Sequence, residues 1–239
     1  MAIRIYVHAL NQAGMKLAAL FSGGKDSTYA AYLMEQQGHT VDVLVSVLPA
    51  DPHSMVFHTP NLHLLPLMAE AMGKGMVTVR SDGTEEGDLE ALRRALMLIR
   101  VEGVVTGAIA SDYQWDRING VCESLGLRVF SPLWRKGQEA LMRDMLSSGT
   151  RAMVVAVMAE GLGEEWLGRV LDLKALEELL VLREKKGVNP SGEGGEYETL
   201  VLDSPLHLRS LEVLSMQKVI ARDGGRVMVN EIVLQERRA

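Results

Sequence analysis

Short apolar runs alternate with longer stretches whose apolar side chains recur near i, i+3, i+4 and i+7, so the chain switches repeatedly between strand and helix period over its first 135 residues. The strand candidates are KLAALF (16–21), VDVLVSV (41–47), MVTVR (76–80), VVTGAI (104–109) and RVFS (128–131). Between them lie STYAAYLMEQQ (27–37), NLHLLPLMAEAM (61–72), DLEALRRALMLIRVE (88–102) and a segment near 114–125, each with the helical period. Strands alternating with helices predict an α/β, Rossmann-like fold, a parallel sheet of about five strands covered by helices. Gly38, Gly73, Gly103 and Gly126 stand where each helix is expected to stop, because a left-handed residue there costs glycine nothing.

Beyond Pro132 the pattern changes. Two helical stretches, Gly137 to Ser148 and Leu171 to Lys186, flank one strand candidate, RAMVVAVM (151–158). GVNPSGEGGEYET (187–199) is rich in glycine and acid, too polar for a core, and reads as a functional loop. LEVLSMQKVIA (211–221) and VMVNEIVLQ (227–235) are β-prone runs joined around Asp223-Gly224-Gly225, the signal of a hairpin. The expected organisation is a main domain over 15–135 and a smaller α+β domain over 136–239 that closes the site. No repeat period and no low-complexity tract interrupts it.

Composition narrows the setting. With 239 residues, 47% hydrophobic and 23% charged, the chain can bury a core and fold unaided. A net charge of −6 gives no basic footprint, so free nucleic acid is not the expected partner. The single cysteine, Cys122, excludes an internal disulfide, a CxxC pair and a cysteine-rich zinc site, and a reducing cytoplasmic location is expected. The longest apolar runs, such as Met153 to Ala159, fall far short of the roughly 20 residues that cross a bilayer. Residues 1–14 precede Met15, which stands directly before the first strand, and read as an upstream extension.

The first strand runs into SGGKDS (22–27), and the first helix follows at once. A helix starting at the carboxyl end of a parallel strand aims backbone N–H groups and a partial positive charge at whatever binds there, and phosphate is the natural guest. Gly23 and Gly24 let main chain approach oxygen atoms, Ser22 and Ser27 add hydroxyls, and Lys25 adds a mobile charge. Asp26 can help to hold magnesium or orient the serines. Neither the GxxxxGK phosphate loop nor the GxGxxG fingerprint is present, which disfavours a γ-phosphate site of the kinase or GTPase kind. The bland alternative, a tight turn with a serine or aspartate cap, needs neither two glycines nor a lysine.

SGGKDS resembles the pyrophosphate loop, SGGxDS, of the N-type ATP pyrophosphatases, onto which Ser22, Gly23, Gly24, Lys25, Asp26 and Ser27 map one for one. That resemblance implies cleavage of ATP between the α and β phosphates, adenylation of an acceptor oxygen and displacement of AMP by a nucleophile. Three further stretches narrow the choice: GAIASDYQWDR (107–117), VCESLGLRVFSPLW (121–134) and EGGEYETLVLDSPL (193–206). Together with the loop they are similar to the diphthine–ammonia ligase family, from Met15 to about Leu206.

The resemblance implies an ATP-dependent, AMP-forming amide ligase using ATP and Mg2+, with ammonium and elongation factor 2 carrying diphthine as partners. It implies catalytic roles for Lys25, Asp26 and Glu196, nucleotide contacts from residues 22–27, Ser46 and Gly107, and magnesium at Asp26. No room remains for a glutaminase domain, so free ammonium is the expected nitrogen source. Diphthine carries a trimethylammonium, a cation without N–H donors that carboxylates and aromatic faces hold best. Glu193, Glu196, Tyr197 and Glu198, with Trp115, are therefore expected to bind that group or to capture ammonium, while Tyr113, Gln114 and Arg117 line the acceptor side.

Two rivals stay open. One keeps the scaffold and changes the acceptor to tRNA or a small metabolite, and the other is an ATP- or AMP-binding sensor without turnover. His53, His58 and His63 lack the spacing of a zinc helix and read as structural or solvent-facing; only His58, in the loop after the second strand, keeps a functional reading. Cys122 shares an apolar helix face with Ile118 and Leu125 and reads as a packed thiol. The scattered methionines read as core filler, and REKKG (183–187) as a helix end whose cations complement the dipole.

Overall fold

The computed structural model describes residues 14–48, 61–222 and 224–237. His53, His58, Asp223 and nearly all of the 1–14 extension lie outside the described residues. Five parallel strands, β1 (Lys16–Leu20), β2 (Thr40–Leu48), β3 (Gly75–Arg80), β4 (Gly103–Val105) and β5 (Arg128–Phe130), form one sheet in the order β3-β2-β1-β4-β5. The crossovers are α1 (Lys25–Gln36), α2 (Leu65–Ala71), α3 (Glu85–Met97) and α4 (Asp112–Ser124). The chain steps outward from β1 to β3 and then returns to the other side for β4 and β5. A crevice therefore opens at the carboxyl ends of β1 and β4, where ligands bind in such sheets.

β1 is buried on both faces, which explains its unbroken apolar run. Leu17 and Ala19 join Met34, Leu44 and Met68 in one core, while Ala18 and Leu20 join Leu92, Val104 and Cys122 in the other. Burial pushes the Cys122 thiol up to about 11, as befits a packed, unreactive cysteine. Gly38, Gly73 and Gly126 end their helices at φ values of 87°, 64° and 68°. Gly103 does not: α3 ends at Met97, earlier than the pattern predicts, and Gly103 opens β4. A Cβ there would lie 2.8 Å from the Arg128 carbonyl oxygen and 2.9 Å from the Phe130 ring, so glycine serves close strand approach instead. The predicted strand over 104–109 is likewise cut short at Val105, and the residues after it turn into the crevice as loop.

The second half contributes α5 (Gln138–Ser147), β6 (Arg151–Val157), α6 (Leu173–Lys186), β7 (Tyr197–Asp203), β8 (Arg209–Ala221) and β9 (Gly224–Glu236). Its four strands form a sheet in the order β7-β6-β9-β8, with β8 and β9 as the expected hairpin. α6 starts at Leu173 rather than Leu171, capped by the Asp172 carboxylate, which accepts from the Ala175 N–H at 2.7 Å. Gly187, at φ 74°, closes it behind Arg183, Lys185 and Lys186. The predicted loop over 187–199 ends early, because Tyr197 to Thr199 already pair with β6 as the start of β7.

The two sheets share one core. Leu17 and Met68 belong to the same packed cluster as Met142, Val154 and Leu200. Asn61 ties the halves by hydrogen bonding: its amide donates to the Val227 carbonyl and accepts from the Val229 N–H, both at 2.9 Å, as a neighbouring strand would. His63 Nε2 lies 3.2 Å from the Val229 carbonyl, a structural placement. Among the described residues no helix is long and apolar enough to cross a membrane.

Candidate active site

SGGKDS fills the mouth of the crevice. Gly23 adopts φ 80°, a left-handed turn within the four residues, 21–24, by which the chain leaves β1 and enters α1. A Cβ at Gly23 would also meet Leu65 and Met68 at 3.0 Å, so the turn is packed as well as bent. α3, α4 and α6 each have a side-chain cap, from Thr84, Ser111 and Asp172; α1, which follows Gly24, has none. The hydroxyls instead brace the turn. Ser27 Oγ accepts from the Ser22 N–H at 3.3 Å and lies 3.1 Å from Ser22 Oγ, which in turn accepts from the Gly24 N–H at 3.3 Å.

Residues from the far end of the chain complete the loop. The Lys25 N–H donates to Thr199 Oγ1 at 3.1 Å, and the Val201 N–H donates to the Gly23 carbonyl at 2.9 Å. The Lys25 ammonium donates to Asp26 Oδ2 at 2.8 Å and to the Ser191 carbonyl at 2.5 Å, with the Tyr197 ring 5.2 Å away. β7 and the segment before it thus form one wall of the SGGKDS turn. Beside them lies a cavity of about 340 Å³, whose lining includes Ser22, Lys25, Ser46, Gly107, Glu193 and Glu198. A larger hollow of about 650 Å³ lies in the antiparallel sheet around Arg151, Asp203 and Arg237; it holds none of the phosphate-loop residues.

Gly107 has a steric reason for its identity. A Cβ there would fall 2.7 Å from the Ser27 nitrogen and 2.8 Å from the Asp26 carbonyl carbon, so only glycine lets the loop after β4 lie against the start of α1. Ser46 lines the cavity from β2, and its hydroxyl donates to the Phe21 carbonyl.

The acidic segment divides by direction. Glu193 turns into the cavity and its Oε1 accepts the Ala110 and Ser111 N–H groups at 2.7 and 3.0 Å, covering the start of α4. Burial pushes its carboxyl above the usual range and the Asp26 charge adds to that, against the pull of the amide donors. Glu198 also lines the cavity. Glu196 does not: its Oε1 accepts the Asn189 N–H at 3.0 Å, and the carboxylate folds beneath its own loop. Tyr197 is 4% exposed and its hydroxyl donates to the Pro190 carbonyl at 2.6 Å. Burial, together with the charges of Asp26 and Glu196, holds that hydroxyl well above its ordinary pKa.

On α4 the four expected residues part company. Gln114 faces the cavity, one turn before Ile118. Tyr113 and Arg117 face α3, with the Arg117 guanidinium 3.6 Å from the Tyr113 ring centre and hydrogen-bonded to Glu85. The Tyr113 hydroxyl and Arg117 lower the Glu85 pKa. Trp115 stacks on Trp134 at 5.6 Å. Of the four, Gln114 alone reaches the cavity wall.

Sequence reasoning missed Thr199 and Ser191. Thr199 lies inside EGGEYET, and pairing of Tyr197–Thr199 with β6 turns its hydroxyl toward the SGGKDS turn. Asp26 Oδ1 is buried without a hydrogen-bond partner, and among the described residues no group of three or more His, Cys, Asp or Glu is placed to hold a metal ion. One unpartnered carboxylate oxygen on the cavity wall is the kind of donor magnesium takes, which commonly uses one or two carboxylates and completes its shell with phosphate oxygens and water.

Residues 15–129 match the family model of the diphthamide synthase N-terminal domain, and residues 137–234 that of the diphthamide synthase C-terminal domain. The diphthine–ammonia ligase of Homo sapiens is 39% identical over 230 residues, covering 86% of this chain and 85% of that protein. The one from Mus musculus is 37% identical over 229 residues, with the same coverage of 86% and 85%. Among solved structures, a predicted subunit of tRNA methyltransferase from Methanocaldococcus jannaschii aligns with 80% of this chain and 98% of its own, at 16% identity and a TM-score of 0.42, too slight a likeness to carry weight.

Proposed function

The chain belongs to the diphthamide synthase family, and from that premise we propose that it is the diphthine–ammonia ligase its relatives are named for, joining ammonia to the diphthine carboxylate at the expense of ATP. The protein substrate is elongation factor 2. A carboxylate oxygen of diphthine attacks the α-phosphorus, the bond to the bridging oxygen breaks, and pyrophosphate leaves with the electron pair. Ammonia nitrogen then attacks the acyl carbon and gives up one proton to solvent, and the acyl C–O bond breaks so that AMP departs with the former carboxylate oxygen.

The observation that carries this reading is a phosphate loop at the sheet's switch point, walled by the EGGEYET strand through the Lys25 to Thr199 hydrogen bond. Donors fixed before reaction stabilise the charge that builds on departing pyrophosphate without reorganising, so residues 22–27 and the Lys25 ammonium are assigned to the β and γ phosphates. Asp26, through its unpartnered oxygen, would hold magnesium, which would neutralise phosphate charge. Ser46 and Gly107, at the ends of β2 and β4, are assigned to the nucleoside side. Glu193, Glu198 and Gln114 line the wall facing the acceptor and are assigned to the diphthine cation or ammonium. Glu196 and Tyr197 shape that wall from behind, and Tyr113, Trp115 and Arg117 brace α4.

Residues 15–135 then form the nucleotide domain and 136–239 the acceptor domain, in a cytoplasmic enzyme whose one thiol is buried. The test is incubation with ATP, magnesium, 15N-ammonium and diphthine-bearing elongation factor 2. Labelled carboxamide and AMP should appear in equal amounts and require one another. AMP without amide, or neither product, would defeat the proposal.

A further inference from the structure

Lys25 is buried, and its ammonium has a built seat: it donates to Asp26 Oδ2 at 2.8 Å and to the Ser191 carbonyl at 2.5 Å. An ammonium carries three hydrogens, and two of them point at those acceptors. Where Asp26 and Ser191 stand therefore fixes the direction of the third. The Tyr197 ring, 5.2 Å from the nitrogen, flanks the same seat. Asp26 is the next residue of α1, but the Ser191 carbonyl arrives from a turn 166 residues away. Whatever holds that turn decides where the charge points.

Asn189 holds it with its side-chain oxygen and with both of its backbone polar groups. Its Oδ1 accepts the Ser191 N–H and the Ser191 hydroxyl, each at 2.9 Å, the turn that asparagine makes with the residue two places on. Its carbonyl accepts the Gly192 N–H at 2.9 Å, and its own N–H donates to Glu196 Oε1 at 3.0 Å. The turn so closed lies against Tyr197, whose hydroxyl donates to the Pro190 carbonyl at 2.6 Å; a Cβ on Gly192 would meet the Tyr197 ring at 3.0 Å. Ser191 is fully buried, so removing Oδ1 strands two donors at once. The turn must relax to satisfy them, and the Ser191 carbonyl shifts with it.

We propose that Asn189, which lines none of the cavity, positions the Lys25 ammonium for the phosphates by holding the 189–192 turn. The inference rests on the assignment of Lys25 to the β and γ phosphates. It extends the machinery from the SGGKDS turn to a residue that touches neither the nucleotide wall nor the acceptor wall.

The test is a double-mutant cycle read by phosphorus NMR titration of the full chain with magnesium and inorganic pyrophosphate, which follows weak binding into the millimolar range and needs no acceptor. Asn189→Leu should raise the pyrophosphate Kd about tenfold, the scale of a lost hydrogen bond to a charged group. Asn189→Ser, whose hydroxyl closes the same turn more weakly and adds no charge, should recover part of that loss. In a Lys25→Met background Asn189→Leu should cost less than about twofold, because the charge it positions is gone. A wild type that does not bind pyrophosphate would overturn the proposal, as would an Asn189→Leu chain that melts lower but binds as well, or a tenfold loss that persists without Lys25. The ligase reading is judged apart: coupling in the cycle with no AMP formed from ATP and diphthine-bearing elongation factor 2 would leave Asn189 its role and remove the ligase.

Discussion

The Lys25 ammonium lies 2.5 Å from the Ser191 carbonyl, a partner 166 residues further along the chain. The SGGKDS turn and the acidic segment are therefore one structure, bound through a buried cation that also holds Asp26. Lys25→Met removes that cation at nearly constant length. ATP-dependent AMP formation should fall by about two to three orders of magnitude, as when a charge-stabilising donor is lost, and Lys25→Arg should not rescue it because a planar fork does not fit a point-charge site. Steady-state kinetics with saturating ammonium would check this.

Thr199 accepts the Lys25 N–H at the start of α1. Thr199→Val keeps the shape and leaves a buried donor unmet, so urea unfolding should show a loss of about 1–3 kcal/mol, together with a higher KM for ATP. Thr199→Ser, which keeps the hydroxyl, should restore most of both.

Gly107→Ala places a methyl 2.7 Å from the Ser27 nitrogen, within backbone that has no side chain to swing aside. The start of α1 must move, and displacements on the ångström scale cost about a hundredfold in rate. kcat/KM for ATP should drop by that order, and the melting temperature should fall with it, because the atoms in the way are backbone.

His207 is 2% exposed, with Nδ1 held 2.7 Å from Ser204 Oγ, and burial followed by the Arg237 charge lowers its pKa from 6.5 to about 4. A histidine kept neutral in the fold stabilises fully above the unfolded pKa. That contribution is lost as pH falls from about 6.5 toward 4, where the unfolded chain takes the proton first. The total is about 3 kcal/mol. Chemical denaturation across that window should show the slope in the wild type, and His207→Asn should flatten it.

Much of the scaffold was legible because its signals were local. Unbroken apolar β1 announced a strand buried on both faces, and Gly38, Gly73 and Gly126 marked helix ends by their φ. Gly103 misled because the same residue type serves close strand approach, which sequence alone does not separate from a helix stop. Within the site, residues 22–27 were legible since the turn contains its own chemistry. The division of the acidic segment was not: Glu193 and Glu198 line the cavity while Glu196, in the loop just before β7, turns to Asn189, which depends on where β7 begins. Tyr113 and Arg117 sit one helical turn apart and share the α3 side, a choice that depends on Glu85, far off in sequence.

The most direct test is a crystal structure with ATP or a non-hydrolysable analogue bound. The β and γ phosphates should contact the backbone N–H groups at the start of α1 and the Lys25 ammonium, with the nucleoside toward Ser46 and Gly107. A triphosphate seated elsewhere, with residues 22–27 untouched, would contradict the account.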